Sequence, residues 1–186
     1  MLKYQNIKKN ILSDLYRYYG KISLKNFLKS YFLIPGFNYM VWFRIGEKFG
    51  NPLVKYILFR KSIKFGIQIP RGTKIGEGFY IGHLGGIVIN GRSVIGKNCN
   101  ISQRVTIGQS SRGKNKGYPT IGDNCYIGPG AKVIGNIKIG NNVAIGANAV
   151  VTKDVEDDAV VVGIPAKVIS YDGAEGYVIH KIEEMK

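Results

Sequence analysis

The sequence predicts a mainly β fold: a solenoid of very short parallel strands behind an α-helical N-terminal segment. Three observations predict it. Residues 121–155 repeat every six: Ile121, Ile127, Val133, Ile139, Ile145 and Val151 open successive units, and Cys125, Ala131, Ile137, Val143, Ala149 and Val155 follow each by four. A unit of aliphatic-Gly-x-x-small-x is too short for helix–turn–helix arrays or propeller blades and fits flat faces one hexapeptide long. The 25 glycines in 186 residues suit a fold made of tight corners. Before about residue 65 the six-residue period is absent and apolar residues follow helical spacing instead.

The helical segment, residues 1–65, divides into four. Ile7, Ile11, Leu15 and Tyr18 line one face, with Lys3, Lys8, Lys9 and Arg17 between them. Ser23 is the expected N-cap of a second helix, which Pro35-Gly36 breaks. A third is expected from about Asn38 to Phe49, and a fourth from about Pro52 to Lys64, with Pro52 in its first turn. From Ile67 the pattern switches. Ile75 and Ile81 are six apart; Ile89, Ile95, Ile101 and Ile107 are six apart in another phase, so two extra residues lie near Leu84-Gly85-Gly86. Between Ile107 and Ile121 eight residues are inserted, a basic and flexible loop over 109–119, and insertions in repeat folds become loops that carry function. The solenoid is expected over 66–170, its repeat ending near Val162, with a short strand or helix in the tail 171–186. Its ends need caps and its outer faces need cover; the helices suit one end, and self-association suits the faces.

Charge and composition bound the function. Residues 1–70 hold 13 Lys and Arg against Asp14 and Glu47, a net of +11 out of the formal +15. No recognition motif accompanies that charge, so nucleic acid is not an expected partner. Two readings stay open: a helical cap with solvated cations, or amphipathic helices on an anionic membrane, with Lys8, Lys9, Lys21, Lys25, Lys29, Arg60, Lys61 and Lys64 facing headgroups. No apolar run of 18 residues exists, and Met1–Asn10 is polar and basic, unlike a signal peptide. A cytoplasmic protein, with peripheral contact at the inner membrane face, is expected. Cys99 and Cys125 sit on the inner small position of a hexapeptide and read as buried hydrophobes rather than a disulfide.

Chemistry has few candidates. Of the two histidines, His180 lies among Val178, Ile179 and Ile182 and reads as structural. His83 stands where the repeat slips phase, beside Gly82, Gly85 and Gly86, a setting that suits a general base as well as a corner residue. Two histidines and no His/Cys cluster supply no zinc site, and Gly108–Lys114 is not a P-loop.

The ordered set of hexapeptides, Ile81-Gly-His-Leu-Gly-Gly-Ile-Val-Ile, Gln103-Arg-Val-Thr-Ile-Gly, Ile127-Gly-Pro-Gly-Ala-Lys-Val-Ile-Gly-Asn-Ile, Val150-Val-Thr-Lys-Asp-Val and Val162-Gly-Ile-Pro-Ala-Lys, resembles the serine acetyltransferase-like branch of the left-handed β-helix acyltransferases over about 66–170. The resemblance implies left-handed coils, an exception to the usual crossover rule, and a homotrimer with sites between neighbouring prisms. It implies His83 as the catalytic base that takes a proton from an acceptor hydroxyl attacking acetyl-CoA, with backbone amides on the oxyanion and no metal. Gly108 and Gln109 fall beside the pantetheine arm, and Pro129, Gly130 and Ala147 line its groove. Thr152, Lys153 and Lys167 fall near the nucleotide end, where cations suit phosphates; Gln68, Asn90 and Tyr118 fall on the acceptor side. Corners and solvated surface would also account for these glycines and lysines.

Departures matter as much. Where serine acetyltransferases have the Asp that orients the histidine, this chain has Gln68; where they have a second Asp, it has Gly82; where Arg and His meet the amino acid, it has Gly117 and Tyr118. This is closer to the family's capsule and exopolysaccharide members, so the expected acceptor is a sugar or polysaccharide-precursor hydroxyl. Serine O-acetylation is the alternative, and a non-catalytic trimeric scaffold is the alternative outside enzymes. A base without its carboxylate would need another orienting group, Gln68 or a backbone carbonyl.

Overall fold

The computed structural model describes residues 7–185; Lys3 lies outside them. Four helices come first: α1 (Ile7–Tyr19), α2 (Leu24–Leu33), α3 (Pro35–Lys48) and α4 (Pro52–Phe65). Ser23 caps α2 by accepting the Asn26 amide. Asn51 caps α4 by accepting the Val54 amide, and Gly66, at φ 63°, closes it. The third helix begins at Pro35 rather than Asn38, because proline's fixed φ suits a first turn whose amides have no helical partner. Gly36 then meets the strand ahead of His83: a Cβ there would stand 2.7 Å from the Ile81 carbonyl oxygen.

Fifteen short strands form three sheets around a triangular core, each of the first four coils contributing one strand to each sheet. The first sheet stacks β1 (Ile67–Gln68), β4 (Ile87–Ile89), β7 (Thr106–Gly108), β10 (Lys132–Ile134) and β13 (Val150–Val151). The second stacks β2 (Lys74–Ile75), β5 (Val94–Ile95), β8 (Thr120–Ile121) and β11 (Lys138–Ile139). The third stacks β3 (Tyr80–Ile81), β6 (Asn100–Ile101), β9 (Tyr126–Ile127), β12 (Ala144–Ile145), β14 (Val160–Val162) and β15 (Lys167–Ser170). All pairings are parallel except that of β15 with β14. The opening aliphatics of each hexapeptide and the residues four later fill one continuous core. Cys99 and Cys125 belong to it as free thiols; the hydrogen bond to Cys125 and burial hold the Cys99 thiol well above its ordinary range.

Two details of the repeat differ from expectation. Val155 sits under Ile139 in the second sheet, sixteen positions on instead of eighteen. It therefore takes an opening position, not the small one, because the corner after Val151 is two residues short. The loop over 109–119 is also not free. Ser110 and Gly117 exchange backbone hydrogen bonds, Asn136 donates its amide to the Asn115 carbonyl, and Asn115 donates to the Thr152 carbonyl at 2.7 Å.

The helices close the first coil through buried polar contacts. Arg44, fully buried, donates to both Asp14 carboxylate oxygens (3.0 and 3.1 Å) and to the Ile75 and Gly76 carbonyls. Asp14 also accepts the Phe79 amide. Arg17 donates to Gly78, Ile179 and Asn100. The tail returns across the outer face of the third sheet: Tyr177 stacks on Tyr126 at 4.3 Å, and Tyr16 donates to the Glu184 carbonyl. His180, half-buried, packs edge-on to Tyr16. Among the described residues no helix is long and apolar enough to cross a membrane.

Candidate active site

His83 follows β3 at the corner where the third sheet passes to the first. The two extra residues of the phase slip form this corner, with Gly85 at φ 92° and Gly86 at φ 68°, a conformation open to glycine without steric cost. The corner is pinned from both sides: the Gly85 amide donates to Phe65 at the end of α4, and the Gly85 carbonyl accepts from Arg104 on the next coil. His83 itself is exposed, and its ring has no hydrogen-bond partner among the described residues.

From this corner a groove of about 640 Å³ runs along the solenoid axis, lined by Leu84–Gly86, then Gln103–Arg104, Pro129–Gly130 and Ala147–Asn148 on successive coils. Coils are spaced by about 4.8 Å. Val162 lies one rung further and Lys167, which pairs with it, one rung beyond that, at the same corner. β15 lies five strand spacings from β3, so His83 and Lys167 stand roughly 24 Å apart along this corner. Gly130 is fixed by the fold as well: its φ is +73°, and a Cβ there would fall 2.0 Å from Asn148 Oδ1. On the groove wall Gln103 Oε1 is buried without a partner, an acceptor that leaves room for a ligand's N–H.

The other sequence-predicted residues gather elsewhere. Asn90, Gln109 and Tyr118 lie at the opposite edge of the first sheet, where Asn90 donates to Gln109 at 3.3 Å. Arg92 donates to the Tyr118 hydroxyl at 2.5 Å. Thr152 joins this edge through Asn115, with Lys153 exposed beside it. The nucleotide-end residues are therefore split: Lys167 flanks the groove, while Thr152 and Lys153 flank the loop edge. Gly108 ends β7 on the loop side, so it does not line the groove. Gln68 lies in a separate hollow between α4 and the first sheet and makes no hydrogen bond to His83. It does not orient the imidazole within one protomer.

Sequence reasoning missed Gln103, Arg104, Asn148 and Arg92. The signal for two of them was present: Arg104, Gly130 and Asn148 all adopt positive φ at one corner of successive coils. Allowing for the inserted loop, they occupy one repeat position. Among the described residues no cluster of three or more His, Cys, Asp or Glu could hold a metal.

Comparison with known proteins agrees with this architecture. The family described as Bacterial transferase hexapeptide (six repeats) matches residues 118–153. The serine acetyltransferase of Synechococcus elongatus is 39% identical over 153 residues, 80% of this chain and 63% of that protein. That of Staphylococcus aureus is 48% identical over 108 residues, 58% of this chain and 51% of that protein. The chain spans about half to two thirds of the length of these curated relatives. The crystal structure of Neisseria gonorrhoeae serine acetyltransferase in complex with serine superposes with a TM-score of 0.77 at 32% identity, covering 91% of this chain and 71% of that one. The chain belongs to the serine acetyltransferase family of hexapeptide-repeat transferases.

Proposed function

We propose that this chain is an acetyl-CoA-dependent O-acetyltransferase with His83 as general base. The observation that carries the proposal is the groove that starts beside His83 and runs past Pro129, Gly130 and Ala147, with Lys167 on a later strand at the same corner. Its small residues admit a thin pantetheine arm, the orphan Gln103 Oε1 would accept an amide N–H from it, and the Lys167 cation suits phosphate at the far end. The acetyl thioester then lies at His83. The imidazole takes the proton of the acceptor hydroxyl as its oxygen attacks the thioester carbonyl. The tetrahedral intermediate collapses with expulsion of the CoA thiolate, which is protonated by the imidazolium. Residues 66–170 are the catalytic unit, with left-handed coils; the described parts of the helical segment and of the tail brace it.

The comparisons favour L-serine over a sugar as acceptor, since the named relatives are serine acetyltransferases. The carbohydrate reading keeps one observation in its favour: no carboxylate contacts His83, and Gly82, Gly117 and Tyr118 stand where the family's amino acid-facing residues are expected. Within one protomer His83 and the loop edge flank opposite sides of the first sheet. A homotrimer that brings the loop edge of one copy to the groove of the next would complete the site with Asn90, Gln109, Tyr118, Thr152 and Lys153. The comparisons lend no support to membrane contact by the basic helices.

The test follows free thiol release from acetyl-CoA with L-serine and with a panel of sugars and oligosaccharides. Turnover with serine supports the favoured acceptor; turnover with a carbohydrate alone supports the second reading. His83→Ala should lower kcat by roughly 100- to 10,000-fold with acetyl-CoA binding retained. Indifference to that change would leave a non-catalytic scaffold as the better reading.

A further inference from the structure

From Gly78 to Gly122 the chain contains no Asp or Glu, although these coils carry both edges of the site. The same stretch contains Arg92, Lys97, Arg104, Arg112, Lys114 and Lys116. One of these cations differs from a solvated surface charge. The Arg92 guanidinium lies 5.3 Å from the Tyr118 ring centroid and donates through Nη1 to the Tyr118 hydroxyl at 2.5 Å. Its own amide donates to Asn90 Oδ1 at 2.9 Å, and Asn90 donates onward to Gln109. Gln109 in turn donates to Ser111. The arginine is therefore held at both ends, backbone and head. Yet it is exposed and forms no ion pair among the described residues.

A guanidinium is a fork of five donors whose best partner is a planar carboxylate. Here the Tyr118 hydroxyl engages one donor and its ring lies beside the guanidinium, while the side chain stays exposed. Stacking also lowers the entropy lost when a ligand binds, because the side chain is already ordered. The surroundings sharpen the choice of ligand. Between Gly78 and Gly122 every charged side chain is a cation, and the carboxylates that flank the stretch, Glu77 and Asp123, sit at the corner between the second and third sheets, away from the edge that holds Arg92.

We infer that Arg92 is a specificity-determining residue that binds a carboxylate on the acceptor, and that the acceptor class is a hydroxy acid whose recognition needs no amino group. This rests on the acetyl transfer proposed above and on the assembly proposed there, which brings this edge of one copy to His83 of the next. It covers an amino acid and an acidic sugar alike, and it sets both apart from neutral sugars. CoA phosphates are the other anions that Arg92 could meet, and kinetics separates the two.

The experiment measures kcat and KM for matched acceptors: L-serine against L-serinamide, which lacks the carboxylate; L-glycerate, which replaces the amine with hydroxyl; and glucuronate against glucose. Wild type should favour each carboxylate over its neutral partner and should accept glycerate at least as well as serine. Arg92→Ala should raise KM for the carboxylates roughly 10- to 100-fold, erase the preference over neutral partners, and leave KM for acetyl-CoA unchanged. Arg92→Lys should restore charge without the fork and recover the preference only in part. A rise confined to KM for acetyl-CoA would assign Arg92 to the cofactor and overturn the inference. So would equal use of neutral acceptors by wild type, or an Arg92→Ala variant that keeps the preference; either leaves the acetyltransferase reading intact. No thiol release by wild type with any of these acceptors would sink that reading, and the inference with it.

Discussion

Replacing Arg44 with methionine tests whether the helices hold the first coil in place. Methionine keeps much of the volume and removes every donor. Arg44 is fully buried, and Asp14 is 1% exposed. The change leaves the carboxylate with the Phe79 amide alone, and the Ile75 and Gly76 carbonyls lose their guanidinium partner. Removing one partner of a buried pair costs about 3–5 kcal/mol, a large share of a total stability of about 5–15 kcal/mol. With a urea m-value of about 2 kcal/mol/M, the unfolding midpoint should fall by about 2 M, read by Trp42 fluorescence at fixed protein concentration. The loss should depend on pH. Burial already raises the Asp14 carboxyl above 3.8 against the pull of Arg44, and without Arg44 it rises further. A carboxyl raised in the folded state contributes stability below its unfolded value and loses it as pH rises through its folded value. The gap between wild type and variant should therefore widen as pH rises above the ordinary carboxyl range. The double variant Asp14→Leu with Arg44→Met should regain at least half the loss, since paired apolar replacements remove the orphan. Because Asp14 holds the Phe79 amide four residues before His83, the single variant should also lose kcat while still folded. A cost under about 1 kcal/mol, or a double variant no better than the single, would refute this account.

Three other outcomes follow from the groove and the core. Ala147→Trp should fill the groove and raise KM for acetyl-CoA about tenfold or more; since Ala147 is exposed, the melting temperature should stay within the range of surface substitutions. Gly130→Ala should cost about 1–2 kcal/mol, because an alanine at φ +73° is strained; Gly130→Asn should cost less, and a neutral alanine would contradict the assigned backbone. Cys99 and Cys125 should not react with a thiol reagent in the native protein and should both react in denaturant. Rapid labelling without denaturant would mean the solenoid core is open.

Much of this molecule could be read from residue order. The six-residue period predicts the three-faced solenoid because each inward aliphatic must repeat wherever the chain turns a corner. Ser23 and Pro52 mark helix starts, one by a local capping bond and the other by its fixed φ, and neither needs a distant partner. Local rules failed where contacts come from other coils. Val155 shifts face because a two-residue deficit costs nothing in local propensity and is felt only against Ile139. The basic loop reads as flexible, yet Gly135–Asn136 and Thr152 hold it from the coils stacked beyond it.

The site divides the same way. The sequence by itself determined the repeat and the corner at His83, because these answer to spacing and to backbone conformation; Pro129, Gly130 and Ala147 were marked by the resemblance. Only the tertiary structure decided that Lys167 extends the groove while Thr152 and Lys153 belong to the opposite edge. It likewise parted Gln68 from His83 and brought Arg92 onto Tyr118. Stacking coils converts separations of eighteen or twenty-six residues into neighbours about 4.8 Å apart, and which corner a residue reaches depends on every insertion before it.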